Sequence, residues 1–491
     1  MNAIMMLIVI LIPILGGALV PLIPFKKRNH RLIFVETIVV VNFILVFSIL
    51  MNRPESSFTL MHFTGDLTIS FQLDGLGSVF AALVSSLWPL ATLYAFEYMK
   101  HESHERIFFL FYTVTYGVTL GIALSGNMIT MYFFYELLTL VTFPLVLHTL
   151  TREAVLAARK YLYYSLGGAA FAFVAVIFMI VYGTGEGFVL GGTLNIARTG
   201  ARVNVLLLIY VFAFFGFGVK AALCPFNSWL PQAGVAPTPV TALLHAVAVV
   251  KSGAFAIMRL TYYCFGTEFL RGTWAQNVVM IAAMITIVYG CSMAVKERHL
   301  KRRLAYSTIS NLSYILFGVT IMTPMGLVGA LSHMVFHGIM KICSFFCAGA
   351  VIYKTGKTYV YELEGLGKKM PKVFGIFTVS ALALMGVPGL CGFISKFNLA
   401  SAAIDSENVM AYFGIGALLI SALLTATYMF SILVRAFFPE TGFSDDSIKD
   451  AEDPNWLMLL PLCLFVIAIF YFGLHAEHIL NLFEDIAAGK F

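Results

Sequence analysis

Residues 331–346 read LSHMVFHGIMKICSFF. His333, His337 and Lys341 fall at i, i+4 and i+8, so on a helix they form a ladder along one face. Five further ionisable groups stand inside apolar runs. Glu136 lies in MYFFYELLTLVTFPL, Lys220 in FAFFGFGVKAALCPF, His245 and Lys251 in LLHAVAVVKSGAFAI, and Lys396 in MGVPGLCGFISKF. A charge in a bilayer core is costly and marks a functional site by default. One glutamate can neutralise one lysine as a structural pair. Four lysines and one glutamate do not balance, so the surplus lysines must be hydrated or spend time neutral, because burial disfavours the charged form. That is chemistry for carrying protons, and histidine carries them near neutral pH without large perturbation. A lone histidine such as His245 or His148 is more often a satisfied polar group. The ladder at 333–341 is stronger because three titratable groups share one face. Two histidines at i, i+4 can bind zinc, but no third carboxylate or cysteine stands on that face, so no metal site is expected.

Helix breakers sit beside these charges. Pro225 follows Lys220, Pro144 follows Glu136, and Pro388–Gly389 with Gly392 precede Lys396. A proline frees the carbonyl four residues earlier, here Ala221, Leu140 and Leu384. Free carbonyls at membrane depth are tolerated where they line a wet cavity. Charged, broken helices in both halves of a chain point to a transport path, whereas a single proline would only bend a helix. His245 and Lys251 lie about 120° apart on an ideal helix. Both can edge a wide polar cavity, or the helix is irregular between them.

The elements that must hold these residues are membrane helices. Of 491 residues, 60% are hydrophobic and only 11% charged, and mean hydropathy is +0.90; a soluble domain has about 25% charged residues. The expected fold is an all-α polytopic membrane protein. Runs of about 20 apolar residues occur fourteen times. They are spans 1–14, at 3–24, 32–51, 76–98, 107–125, 128–149, 161–183, 204–223, 237–263, 276–295, 304–323, 325–353, 373–395, 410–436 and 455–474. The first lacks a positive leading segment and reads as a retained span, not a cleaved signal. Residues 52–75 read as a short surface hairpin. Basic loops at 26–31, 151–160, 296–303 and 354–372 all follow odd-numbered spans. Placing them in the cytoplasm puts both termini outside, in a prokaryotic cytoplasmic membrane. The loop ETGFSDDSIKDAEDP after span 13 is acidic, which counts little for orientation and would suit docking a basic partner. Arg259, Glu97 and Arg435 sit near span ends and are expected to snorkel to the interface. The net charge of +6 is therefore a matter of topology and gives no reason to expect nucleic acid. Seven scattered cysteines form no CxxC. Cys343 and Cys347 read as small apolar filler, so no iron–sulfur or haem ligation by this chain is expected.

The stretch FGVKAALCPFNSWLPQAGVAPTPVTALLHAVAVVKSGAFAIMRL (217–260) resembles the signature of the antiporter-like membrane subunits of respiratory complex I. The same family includes the large subunits of Mrp-type antiporters and of energy-converting membrane hydrogenases. FQLDGLGSVF (71–80), FYELLTLVTFPLV (134–146), RRLAYSTISNLSYI (302–315), HMVFHGIMKICSFFCAGAVI (333–352), LEGLGKKMP (363–371) and GVPGLCGFISKF (386–397) match in order, over almost the whole chain. The resemblance implies about fourteen transmembrane helices, with spans 7 and 12 discontinuous and two inverted five-helix repeats. The units would be 1–106 (spans 1–3), 107–263 (spans 4–8), 276–436 (spans 9–13) and 455–491 (span 14 and a short tail). Glu136 and Lys220 would be the interacting pair of the first repeat. Lys251 and His245 would connect at the centre, His333, His337 and Lys341 would continue the row, and Lys396 would end it. Many relatives carry histidine inside PxHxWLP and after WLPxA. This chain has Asn227 and Gly234 there, which puts in doubt a proton route through that loop. No long lateral helix of the kind that follows the spans in the most distal complex I subunit is expected.

The function expected is therefore proton translocation within a redox-driven complex. The chain itself would bind no cofactor and do no redox chemistry; partner subunits would carry iron–sulfur clusters, with flavin or a NiFe centre. Related antiporter-like subunits would be among its partners. The alternative is an Mrp-type Na+/H+ antiporter component, disfavoured for sodium by a core with one carboxylate and many lysines. A purely structural subunit is disfavoured by the full set of core charges, and a stand-alone solute transporter by the lack of a substrate-sized polar cluster.

Overall fold

The computed structural model describes residues 4–53, 57–64, 67–185, 187–440 and 448–491. The middle of the acidic loop after span 13, residues 441–447, lies outside them. Among the described residues, twelve helices are long and apolar enough to cross a membrane. They correspond to spans 2 to 11, 13 and 14. Span 1 is the shorter helix Ile4–Leu19, and span 12 is split into Pro371–Met385 and Cys391–Asp405. All fourteen expected stretches are thus helical.

Local chemistry sets the helix starts. Asp74, Asn127, Thr151 and Thr323 occupy N-caps, and each side chain accepts a backbone N–H of the first turn. These are the residue types that satisfy otherwise orphaned donors. Pro324 follows at the first helical position, where its missing N–H costs nothing, and Gly356 in the left-handed conformation ends the same helix. Three helices begin well before hydropathy suggests. Span 2 is Arg28–Asn52, span 6 is Arg152–Tyr182 and span 10 is Leu300–Ile321, so much of each basic loop is the first turns of a helix.

Burial ranks the helices. Span 8 (Thr238–Phe265) is wholly buried and spans 10 and 11 (Pro324–Thr355) nearly so, whereas spans 2 and 14 bury little. A helix apolar all round belongs inside a large protein or in lipid; here the most polar-studded ones are inside. Span 11 packs on spans 3, 8, 10, 12 and 14 and on a tail helix, Glu477–Ala487. The expected hairpin is present as Phe58–Thr64 paired with Leu67–Phe71, its register shifted twice. It is sewn to span 5 by Asn127 Nδ2, which donates to Thr68 O and Ser70 Oγ.

Three of the described spans are interrupted. Span 7 runs Val203–Lys220, then turns at Ala221–Ser228, with Pro225 inside the turn, before a short helix at Trp229–Ala233. Span 12 breaks at Gly386–Leu390, around Pro388 and Gly389, with Gly386 and Gly389 at φ +93° and +87°. Span 8 changes course at Val247–Ala248, between Thr238–Ala246 and Val249–Met258. Pro144 is a correction: it does not break its helix, which runs on to Val146. It stands two residues from the helix end, where a lost N–H bond disturbs only the last turn.

Candidate proton path

Lys220 is the last residue of the Val203–Lys220 helix and is fully buried. Its Nζ donates to the Tyr135 carbonyl and lies 3.4 Å from the Tyr135 ring centroid. The Glu136 carboxylate is 4.0 Å away, partly exposed at 23%. Glu136 Oε1 accepts no hydrogen bond among the described residues. The pair is therefore close enough to interact but is not locked.

Span 8 is interrupted between His245 and Lys251, so one continuous helix does not fix the angle between them. Lys251 Nζ is 2.8 Å from His337 Nδ1. The His337 ring stacks on His333 with centroids 5.7 Å apart. His333 Nδ1 is 2.9 Å from Ser395 Oγ, and Nε2 is 3.2 Å from Asn311 Oδ1. The Tyr314 ring stacks on that of His333 with centroids 5.0 Å apart, and the Lys396 ammonium is 5.4 Å from the Tyr314 centroid. Lys396 Nζ donates to Leu384 O at 2.6 Å and Met385 O at 3.0 Å. Leu384 is the carbonyl that Pro388 leaves free. A continuous row thus runs Lys251–His337–His333–Lys396, both of its histidines and Lys251 being fully buried.

Lys341 leaves this row. Its Nζ donates to Ser307 Oγ at 2.8 Å, and the Tyr428 hydroxyl donates to the same oxygen at 2.7 Å. The equal spacing of the ladder places Cα atoms on one face, but a lysine stem is long enough to find its own acceptor. His245 stands apart as well: its ring packs on Phe345 with centroids 4.8 Å apart, and neither nitrogen has a partner among the described residues.

Arg259 overturns the snorkelling expectation. It is fully buried and makes a bidentate pair with Asp74, enclosed by the rings of Phe188, Phe255 and Tyr263. Its partner lies on the loop entering span 3, which sequence distance hid. Glu97 does sit at a span end, where it accepts the Tyr353 hydroxyl at 2.9 Å, and Arg435 lies 3.5 Å from Glu364. Ser307, Asn311, Tyr314, Ser395 and Tyr428 were missed because hydroxyls and amides inside helices carry no distinctive spacing.

With this geometry in view, comparison with known proteins is informative. Residues 125–425 match the family described as NADH:quinone oxidoreductase/Mrp antiporter, TM, and residues 61–109 match NADH-ubiquinone oxidoreductase (complex I), chain 5 N-terminus. An NADH-quinone oxidoreductase subunit N from Desulforudis audaxviator is 29% identical, over 84% of this chain and 83% of the relative. A probable K(+)/H(+) antiporter subunit from Rhizobium meliloti is 30% identical, over 95% of this chain but 46% of that longer protein. A chain of the membrane-bound sulfane sulfur reductase, an archaeal respiratory membrane complex, superposes with a TM-score of 0.85 at 21% identity, over 100% of this chain and 98% of that one.

Proposed function

The chain belongs to the NADH:quinone oxidoreductase/Mrp antiporter transmembrane family and is an antiporter-like integral membrane subunit; from that premise we propose that it translocates protons within a redox-driven complex related to complex I. The observation that carries this reading is the buried row Lys251–His337–His333–Lys396, four titratable groups in sequence with no carboxylate paired to any of them among the described residues. A purely structural core has no use for unneutralised lysines at that depth.

Glu136 and Lys220 act as the switch. Two unit charges 4 Å apart interact by about 4 kcal/mol at an effective dielectric of 20. That is enough to decide whether the ammonium keeps its proton. With the pair closed, the carboxylate holds Lys220 charged; with it open, the proton passes toward Lys251. The unit 107–263 contributes the broken span 7 with Lys220, and the unit 276–436 the broken span 12 with Lys396. Redox chemistry belongs to partner subunits carrying iron–sulfur clusters, with flavin or a NiFe centre. The membrane is the prokaryotic cytoplasmic membrane, with both termini outside.

The test uses the intact complex in proteoliposomes with a pH-sensitive dye, supplied in turn with NADH, hydrogen, formate or reduced ferredoxin. Proton movement with one donor, lost in Lys220→Ala, is the expected result. Unchanged pumping by Lys220→Ala would sink the reading. The likeness to a K(+)/H(+) antiporter favours one second reading, cation/proton exchange without redox input. Dye signals on adding sodium or potassium, with no donor response, would select it.

A further inference from the structure

We propose that Lys301 is a proton-carrying residue that joins the basic-loop face of the membrane to Lys341 by way of His245. The inference rests on the proton-translocating function proposed above. Lys301 stands in KERHLKRR, a run that reads in sequence as a solvated cytoplasmic loop. It is instead in the first turn of span 10 and buried, with 7% exposure. Its Nζ donates to Ala236 O at 2.9 Å. The same carbonyl accepts the Thr241 hydroxyl at 3.0 Å. Thr241 and His245 are four residues apart in the Thr238–Ala246 helix, so they share a face one turn apart. His245 packs on Phe345, and the Lys341 ammonium lies 5.9 Å from the centroid of that same ring. Lys301, Thr241, His245 and Lys341 are therefore linked in turn through the Ala236 carbonyl, the Thr238–Ala246 helix and the Phe345 ring.

His245 marks the middle of this series as wet. Buried polar groups are nearly always hydrogen-bonded, to ordered water where protein supplies nothing. Both ring nitrogens of His245 are fully buried and have no protein partner among the described residues. Lys301 and Lys341 are the two cations whose charges act on it. At the outer end, the half-buried carboxylate of Glu102 acts on Lys301. Glu102 follows span 3 and Lys301 follows span 9, so the positive-inside pattern puts both on one face. The route also supplies what the loop with Asn227 and Gly234 lacks, a titratable group between that face and mid-membrane. A proton taken from water there adds to neutral Lys301. It leaves the ammonium through water to the His245 imidazole, and the imidazolium then protonates neutral Lys341.

A structural role for Lys301 would need only the hydrogen bond to Ala236, which arginine can supply. Arginine cannot release a proton. The experiment measures donor-driven acidification by the assembled complex in proteoliposomes, at matched subunit content, for Lys301→Arg, Lys301→Met and Lys301→His beside Lys220→Ala. Arginine and methionine should each slow translocation at least tenfold. Histidine should retain it, with the dependence on pH at the basic-loop face moved lower, because imidazole titrates near pH 6.5. Wild-type rates in Lys301→Arg, or an unmoved pH dependence in Lys301→His, would overturn the proposal. If the methionine variant does not assemble, the arginine variant decides. Loss of pumping in Lys220→Ala with full pumping in Lys301→Arg would remove the route and leave the function standing. Full pumping in Lys220→Ala as well would remove the function itself.

Discussion

Arg259 shows how a buried charge is held when it is not meant to move. The guanidinium is fully enclosed and its two nitrogens meet both oxygens of Asp74. Removing one member of such a pair strands the other and costs about 3–5 kcal/mol, while replacing both by neutral groups is often nearly free. Arg259→Met should therefore lower the melting temperature of the solubilised complex sharply. Asp74→Asn combined with Arg259→Met should recover most of it, because asparagine preserves the cap on Gly77 N. Additive losses would contradict the pairing. His299, at the start of span 10, gives a pH signature. Burial, with Lys301 and Arg302 close by, pushes its imidazole down to about 4. Between pH 6.5 and 4 the unfolded chain takes up a proton that the folded one refuses. Stability is thus full above pH 6.5 and falls as pH drops through that window. The drop in melting temperature between pH 7 and 4.5 should be smaller in His299→Gln than in the wild type; equal drops would refute the assignment. Sequence alone distinguished the candidate proton-path residues from this pair poorly. Glu136, Lys220, Lys251 and Lys396 were visible because each interrupts an apolar run. Arg259 interrupts one too, but near its end, and nothing local says that Asp74 reaches it. Lys301 was hidden among cationic neighbours.

At the scale of the element, the broken helices are where backbone and chemistry meet. Pro388 cannot donate to Leu384 O, and Lys396 fills that carbonyl and its neighbour Met385 O. An unmet buried carbonyl costs about 1–3 kcal/mol. Lys396→Ala should therefore lose both translocation and thermal stability, whereas Lys396→Arg should keep the stability and lose translocation. If Lys396→Ala melts like the wild type, the ammonium is not what closes the break. Gly386 sits at φ +93°, with the Lys396 stem against it. Breaks at Pro225 and Pro388–Gly389 were legible because proline and glycine announce them. Pro144 announced one that did not occur, since position within the helix decides the effect. The change of course at Val247–Ala248 carries no such residue. Neither position is glycine or proline, and both lie in the wholly buried span 8.

At the scale of the molecule, hydropathy located every span, because a bilayer demands about 20 apolar residues wherever a helix crosses it. It could not rank them. Spans 8, 10 and 11 lie inside while spans 2 and 14 face outward, and that order is set by packing between helices, not by the composition of any one. The distribution of cations, in contrast, is a property of the whole chain and predicts its orientation. The basic loops follow spans 1, 5, 9 and 11, and structure places the first turns of spans 2, 6 and 10 within three of them. Clustered Lys and Arg are retained in the cytoplasm. An even number of crossings then returns the carboxyl terminus to the side of the amino terminus. Epitope tags at the two termini should both be cut by protease added to intact right-side-out vesicles, and both be protected in inverted ones. A tag after Lys357, in the loop following span 11, should behave in the opposite way. The reverse pattern would invert the molecule. It would also move the Lys301 opening to the other face, so that protons drawn through it would have to come from outside.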